Sequence, residues 1–179
     1  MNEPATTIEL LPYDPVWPAL FAREAVKIRA ALGPTAVEVH HAGSTSVPGL
    51  SAKPVIDIVL AVPDSTDEGI YVPQLEAAGF QFRFREPEWF EHRFLKGAAP
   101  MVNLHVFSHG CAEIERMLIF RDWLIADEED RLLYERTKHA LAKGKWGVVQ
   151  DYADAKTEVV QAIIGRALSA RDAGSRRES

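Results

Sequence analysis

The sequence has few of the features that would connect it to an oxidising compartment or to a membrane. Its single cysteine, Cys111, cannot form an internal disulfide. The longest apolar stretch, residues 53–62, is interrupted by Asp57 and falls well short of the ~20 residues that span a bilayer. Residues 1–7 lack the charged and apolar regions of a signal peptide. We therefore expect a cytoplasmic protein with no membrane contact.

The sequence also lacks an excess of positive charge. Lys and Arg total 20 against 26 Asp and Glu, which gives a net charge of −6. Because binding to a phosphate backbone calls for a basic face, a nucleic-acid partner is not expected. A local basic site inside an acidic exterior instead favours a small anionic ligand, and we expect a nucleotide. No repeat or composition shift divides the chain, so residues 1–179 are predicted to form one domain with a frayed tail over 172–179.

Hydrophobic periodicity predicts a mixed order of helices and strands. Helices are expected over 15–32, 67–78, 112–126, 128–143 and 150–170, and strands over 36–41, 55–62, 80–85, 90–96 and 101–107. The strand 55–62 is apolar on both faces except at Asp57, which favours an interior position in the sheet. The order predicts an α+β domain with a mixed sheet, helices packed mainly on one face, and a helical C-terminal half.

The segment 41–59, HAGSTSVPGLSAKPVIDIV, places a polar loop directly before a buried type of strand. Gly43 frees the backbone so that successive N–H groups can converge on an anion, and the next three residues add hydroxyl donors, namely Ser44, Thr45 and Ser46. The spacing matches neither a Walker A loop nor a dinucleotide fingerprint. A Gly-Ser pair followed by an acidic residue, here Asp57, on the next strand is typical of nucleotidyltransferases.

Five motifs in the chain resemble the GrpB family and occur in the family's order. They are HAGSTSVPGLSAKPVID at 41–57, YDPVWP at 13–18, NLHV at 103–106, FRDWL at 120–124 and YADAK at 152–156. The resemblance implies a nucleotidyltransferase-like fold over about residues 8–164. It also places Arg121, Tyr152 and Lys156 within family motifs.

A metal site is one interpretation of the residues around Asp57. Nucleotidyltransferases usually carry two carboxylates at i and i+2, which hold Mg²⁺ on one strand face, but Val59 takes the second position here. His105 shares a strand face with Asn103, so Asp57, His105 and His41 are candidate ligands for Mg²⁺, Mn²⁺ or Zn²⁺. Alternatively, His105 hydrogen-bonds Asp57 or a backbone carbonyl without a metal, and His41 supports the loop from behind.

Three cationic residues are candidates for binding phosphate. Lys53, held extended by the proline that follows it, is either a catalytic point charge for phosphate or a solvated lysine. Lys156 shares a helix face with Tyr152, and it must meet an anion or a pocket if that face turns toward the sheet. Arg121 either clamps a phosphate or pairs with Asp122 at the surface.

Two functions follow from these residues. The first is transfer of a nucleotidyl or phosphoryl group to a small-molecule acceptor, with Asp57, His105 and Lys53 as catalytic residues and the loop from Gly43 to Ser46 orienting the phosphates. The second is a non-catalytic module that binds a nucleotide or a coenzyme A precursor. Val59 in place of a carboxylate favours binding alone, whereas the many charged residues directed at one pocket favour transfer.

Overall fold

The computed structural model describes residues 8–144 and 149–176. The helices are α1 (Trp17–Leu32), α2 (Val72–Ala77), α3 (Ala112–Ala126), α4 (Glu128–Ala142), α5 (Val149–Ala155) and α6 (Thr157–Ser175). The strands are β1 (Glu38–Ala42), β2 (Ile56–Val62), β3 (Gln81–Glu86), β4 (His92–Ala98) and β5 (Met101–Ser108). None of the helices in the described ranges combines the length and the hydropathy needed to cross a bilayer.

The five strands form one mixed sheet in the order β1, β2, β5, β4, β3. β2 pairs with β5 in parallel, and the other neighbours are antiparallel. Residues 58–62 of β2 are fully buried because apolar layers cover both faces of the strand. The predicted α+β class, mixed sheet and interior position of β2 are therefore confirmed.

The two faces of the sheet are covered differently. On one face, α1 and α2 bury a continuous core in which Ile28 and Leu75 pack with Leu60. On the other face, Ile114 of α3 packs near one end of the strands, in a cluster with Phe107. Helices thus pack mainly on one face, as predicted, and the uncovered end of the second face opens into a cavity at the beginning of β2.

Two helices differ from their predicted limits. The helix expected over 67–78 is a 3₁₀ turn, Glu68–Ile70, followed by α2, because Pro73 is tolerated only in the first turn of an α-helix. The helix expected over 150–170 is divided into α5 and α6, which meet at Lys156. α6 continues to Ser175, so the prediction of a frayed tail is wrong for residues 172–175, and residues 177–179 lie outside the described ranges.

A buried carboxylate fastens α4 to its neighbours. Asp127 caps α4 by accepting a hydrogen bond from the backbone N–H of Asp130 at 2.8 Å. The Asp130 side chain accepts hydrogen bonds from Trp123 of α3 at 2.7 Å and from Arg166 of α6 at 2.6 Å. The bond from Arg166 is the main reason that the pKa of Asp130 lies below its usual value of 3.8. The Asp130 carboxylate therefore joins three helices of the C-terminal half, α3, α4 and α6.

Replacing Asp130 with Asn should lower the free energy of unfolding at pH 7 by about 1–2 kcal/mol, a range that allows for the 48% exposure of Arg166. Because the folded-state pKa is lowered, the contribution of Asp130 is present above pH 3.8 and is lost as the pH falls through that lowered pKa. Urea unfolding at pH 7 and pH 3 measures the difference. Asp127→Asn, which keeps a capping side chain, is the control and should stay near wild type. Equal stability of D130N and wild type at pH 7 would contradict this account.

Candidate functional site

The glycine loop between β1 and β2 packs directly against Asp57. Gly43 has φ of 66°, in the left-handed region that favours glycine. A Cβ atom at Gly43 would lie against Asp57 Oδ2 and 2.9 Å from Asp57 Cβ. The loop therefore follows its course next to the carboxylate only because residue 43 has no side chain.

All three loop hydroxyls have partners within the protein, and that of Ser44 is the Tyr134 side chain. The buried Thr45 Oγ1 lies 2.9 Å from His41 Nε2 and 3.4 Å from the carbonyl of Val55. Ser46 donates to the Gly43 carbonyl. Gly43, Ser44 and Thr45 line the cavity, whereas Ser46 is not among its described lining residues. Ser44, which lines the cavity and is less buried than Thr45, is thus the loop hydroxyl best placed to meet a ligand.

His41 faces away from the cavity. It pairs in register with Ile58, the neighbour of Asp57, so its side chain projects from the opposite face of the sheet. There the ring stacks on Phe21 of α1 at 4.8 Å, and burial lowers its pKa to about 4. The structure does not bring His41 together with Asp57 as a metal ligand; His41 supports the loop through Thr45.

Asp57 and His105 lie side by side on the open face of the sheet. In the parallel pairing of β2 with β5, Asp57 is opposite Asn103, and His105 lies two residues further on the same face. Asn103 Nδ2 donates to Asp57 Oδ1 at 3.1 Å, and His105 Nε2 lies 3.5 Å from the same oxygen. The carboxylate and the imidazole expected to act together are therefore in contact.

A chain of side chains continues from His105 to the surface. His105 Nδ1 lies 3.1 Å from His92 Nε2, and His92 Nδ1 lies 2.7 Å from Glu86 Oε2. If both terminal carboxylates accept hydrogen bonds, the two rings carry three hydrogens between them, and one ring is an imidazolium. Burial lowers the pKa of His92 to about 3, with a smaller effect of His105, so an additional proton on His92 is disfavoured.

The protein donors around Asp57 suit a divalent cation poorly. Val59, where a second carboxylate would stand, is fully buried in the apolar cluster with Ile114. Across residues 8–144 and 149–176, no group of three or more His, Cys, Asp or Glu side chains is placed to hold a metal ion. Among the described residues, the side-chain nitrogen atoms next to the Asp57 carboxylate belong to the Asn103 amide, at 3.1 Å, and the His105 imidazole, at 3.5 Å.

Four lysines line the same cavity, whose volume is about 790 Å³, and all except the exposed Lys96 are at least half-buried. Lys53 Nζ and Lys156 Nζ lie 5.6 and 4.4 Å from the centroid of the Tyr152 ring. Lys138, only 2% exposed, has its Nζ 5.2 Å from the centroid of the Tyr134 ring and donates to the carbonyl of Ser51. Lys53, Lys156 and Tyr152, which were predicted to bind phosphate, are thus brought together.

Burial and nearby positive charge lower the pKa values of Lys53, Lys138 and Lys156. Burial is the main cause that lowers the pKa of Lys138 to about 7, and the charge of Lys156 adds to it. Burial likewise lowers the pKa of Lys156 to about 8, with Lys53 as the next cause. The pKa of Lys53 is also lowered, first by burial and then, partly against the attraction of Asp57, by Lys96. The cavity is thus a poor environment for the cations that line it.

Arg121 takes a structural position outside the cavity. Its guanidinium donates to the carbonyl of His41 at 2.9 Å and to Asp122 at 2.8 Å. It fastens α3 to β1 and is not among the described residues that line the cavity. The structure therefore does not bring Arg121 to the phosphate-binding residues and agrees with the alternative, pairing with Asp122.

Sequence reasoning missed two residues of the site. Lys138 follows Tyr134 by four residues, just as Lys156 follows Tyr152, and in both pairs the ammonium lies near the ring. This repeated Tyr-x-x-x-Lys pattern was the available signal. His92 had no comparable signal, because its importance depends on the antiparallel pairing that places β4 next to His105 of β5.

Comparisons with known proteins assign the chain to a family. The family model described as GrpB protein matches residues 7–166. A UPF0157 protein from Halalkalibacterium halodurans is 59% identical over 161 residues, which cover 90% of this chain and 83% of that protein. A dephospho-CoA kinase from Mycolicibacterium paratuberculosis is 29% identical over 175 residues, covering 83% of this chain and 43% of the kinase.

The crystal structure of the conserved protein GrpB from Enterococcus faecalis has a TM-score of 0.80 and 27% identity, with 91% of this chain and 99% of that chain covered. The chain belongs to the GrpB family.

Replacing Gly43 with Ala should destabilise the protein through both its backbone and its contact with Asp57. The left-handed φ costs about 1–2 kcal/mol, and the overlap adds about 1–3 kcal/mol. Gly49→Ala is a matched control, because Gly49 has φ of 80° but its Cβ would meet only Arg131 Nε at 4.0 Å. Urea denaturation of both variants measures the difference. Equal losses would show that Asp57 does not restrict the loop.

Replacing Lys156 with Met should stabilise the protein in the absence of ligand. The folded pKa of about 8 lies below the usual 10.5, so the wild type gains stability as the pH rises from about 8 to 10.5. K156M lacks this dependence and should raise Tm by about 2–4 °C at pH 7, corresponding to about 1 kcal/mol, and by less at pH 10. Lys27→Met is the control: because Lys27 pairs with Glu24, its replacement should not raise Tm. A lower Tm for K156M at pH 7 would contradict this prediction.

Proposed function

We propose that the cavity binds a nucleotide and that the protein transfers a nucleotidyl or phosphoryl group from it to a small-molecule acceptor. The observation that carries this proposal is the convergence of Lys53, Lys138 and Lys156 on the cavity lined by Asp57 and Ser44. Several cations in a poorly solvated cavity favour a multiply charged anion. The volume of about 790 Å³ suits a small molecule, and the lining is largely aromatic and charged.

The residues divide into two roles in this proposal. Ser44 and the loop backbone orient the phosphates, and the lysines neutralise the charge that develops during transfer. Asp57, held by Asn103 and His105, accepts the proton of the acceptor hydroxyl as its oxygen attacks phosphorus. The bond from phosphorus to the leaving phosphate oxygen breaks, and for nucleotidyl transfer from a triphosphate the leaving group is pyrophosphate.

The second candidate is a binding module without turnover. The buried apolar Val59 supports it, because the residue that would carry a second carboxylate is part of the core. The similarity to a dephospho-CoA kinase suggests a coenzyme A precursor as a ligand for this module. Both candidates use the same cavity and differ only in whether a bond is broken.

Thermal shift and product release together test the two candidates. A nucleoside triphosphate at 100 times its Kd should stabilise the protein by about 2.7 kcal/mol, which corresponds to a rise in Tm of about 5–10 °C. Coenzyme A precursors form a parallel arm. Release of pyrophosphate on addition of candidate acceptors supports nucleotidyl transfer and release of a nucleoside diphosphate supports phosphoryl transfer, whereas binding without either product supports the module.

Asp57→Asn separates chemistry from binding, because the amide keeps the shape of the side chain next to Gly43. This variant should retain a ligand-induced rise in Tm. Its rate of pyrophosphate release should fall 100-fold or more, because a general base usually accelerates a reaction by about 10²–10⁴. Asp64→Asn, at an exposed turn away from the cavity, is the control. If neither nucleotides nor coenzyme A precursors change Tm, both candidates fail.

A further inference from the structure

The lysines of the cavity carry enough charge to hold two linked phosphate groups. We infer that Lys53, Lys138 and Lys156 bind a pyrophosphate-type group, and that they do so without a divalent cation. This inference rests on the proposed function, since it names the part of the ligand that is bound and how its charge is balanced.

Three separate elements bring the ammonium groups to one place. Lys53 precedes β2, Lys138 lies on α4, and Lys156 connects α5 with α6. The ring of Tyr152 lies close to the ammonium groups of both Lys53 and Lys156, and its hydroxyl donates to the carbonyl of Lys138 at 3.4 Å. Lys138 in turn donates to Ser51, two residues before Lys53. The cluster is therefore built by contacts among its own members.

The protein does not match this charge with carboxylates. Within the described ranges, the ion pairs do not include Lys53, Lys138 or Lys156. Asp57 attracts all three and Glu135 attracts Lys138, but burial and the charges of neighbouring lysines outweigh this attraction, so the pKa of each stays below 10.5. An anion bound among them would remove the repulsion that the protein itself leaves in place.

The number of lysines indicates the size of the anion. A single phosphate group offers few oxygens to ammonium groups that approach from three different elements. Two linked phosphates offer more oxygens, so that each lysine can donate to a different one. Because the site is partly buried, salt screens these interactions less than it would at the surface.

The same lysines supply what a metal ion would otherwise provide. A divalent cation neutralises phosphate oxygens, but it needs several anionic or neutral oxygen ligands, and Asp57 offers one carboxylate beside an amide and an imidazole. Ammonium groups neutralise the same oxygens with no ligand set at all. The lysine cluster therefore takes over the neutralising role for which the single carboxylate could not hold a metal ion.

Isothermal titration with inorganic pyrophosphate and inorganic phosphate tests the inference on the full chain. Pyrophosphate should bind at least 10-fold more tightly than phosphate, and its Kd in EDTA should agree within about two-fold with its Kd in Mg²⁺. Lys156→Met and Lys53→Met should each weaken binding by about 10-fold or more. Lys27→Met is the matched control, since Lys27 also lies over an aromatic ring, that of Phe80 at 5.2 Å, but pairs with Glu24.

The outcomes separate this inference from the proposed function. Binding that is lost in EDTA and restored by Mg²⁺ would overturn the metal-free site and leave the proposed function standing. Unchanged affinity in both lysine variants, with wild-type unfolding curves, would place the phosphates elsewhere and overturn the lysine site. If pyrophosphate, phosphate and nucleotides all fail to bind in either condition, the proposed function fails as well.

Discussion

The parallel pairing of β2 with β5 is the constraint on which the candidate site depends. Its register places Asp57 opposite Asn103 and sets His105 two residues further on the same face. A shift of one residue would turn the whole set of side chains on one strand to the other face. The core under α1, which contains Ile58 and Leu60, prevents that shift, because the shift would turn the Asp57 carboxylate into this apolar layer. The hydrophobic core thus fixes the geometry of the polar site.

Much of the fold and part of the site could be predicted from the sequence. Strand alternation was sufficient to place His105 on one face with Asn103, but the pairing of β2 with β5 was needed to bring that face to Asp57. The sequence marked Gly43 as a position of unusual backbone freedom, and the structure adds its close approach to Asp57. The direction of His41 could not be predicted, because it depends on the antiparallel register of β1. Lys138 was missed for a related reason: which face of a helix meets a cavity is decided by the packing of several helices and not by the helix's own periodicity.

The site is costly to the stability of the chain that carries it. Lys138 is nearly fully buried and Lys156 half-buried, and both are held where burial and neighbouring cations disfavour their charged form. The core around β2 and the Asp130 junction of the C-terminal helices offset this cost elsewhere. Cationic side chains that oppose folding but persist in one cavity are better explained by a ligand than by architecture.

The histidine pair has a consequence for how the cavity is connected with the surface of the protein. The row of side chains that contains this pair ends at Glu86 on the outside, which is 46% exposed, and at Asp57 beside the glycine loop on the inside. The two imidazole rings therefore link the exposed Glu86 with the carboxylate inside the cavity, so a change of charge at the solvent side of the sheet affects the polar groups next to the glycine loop.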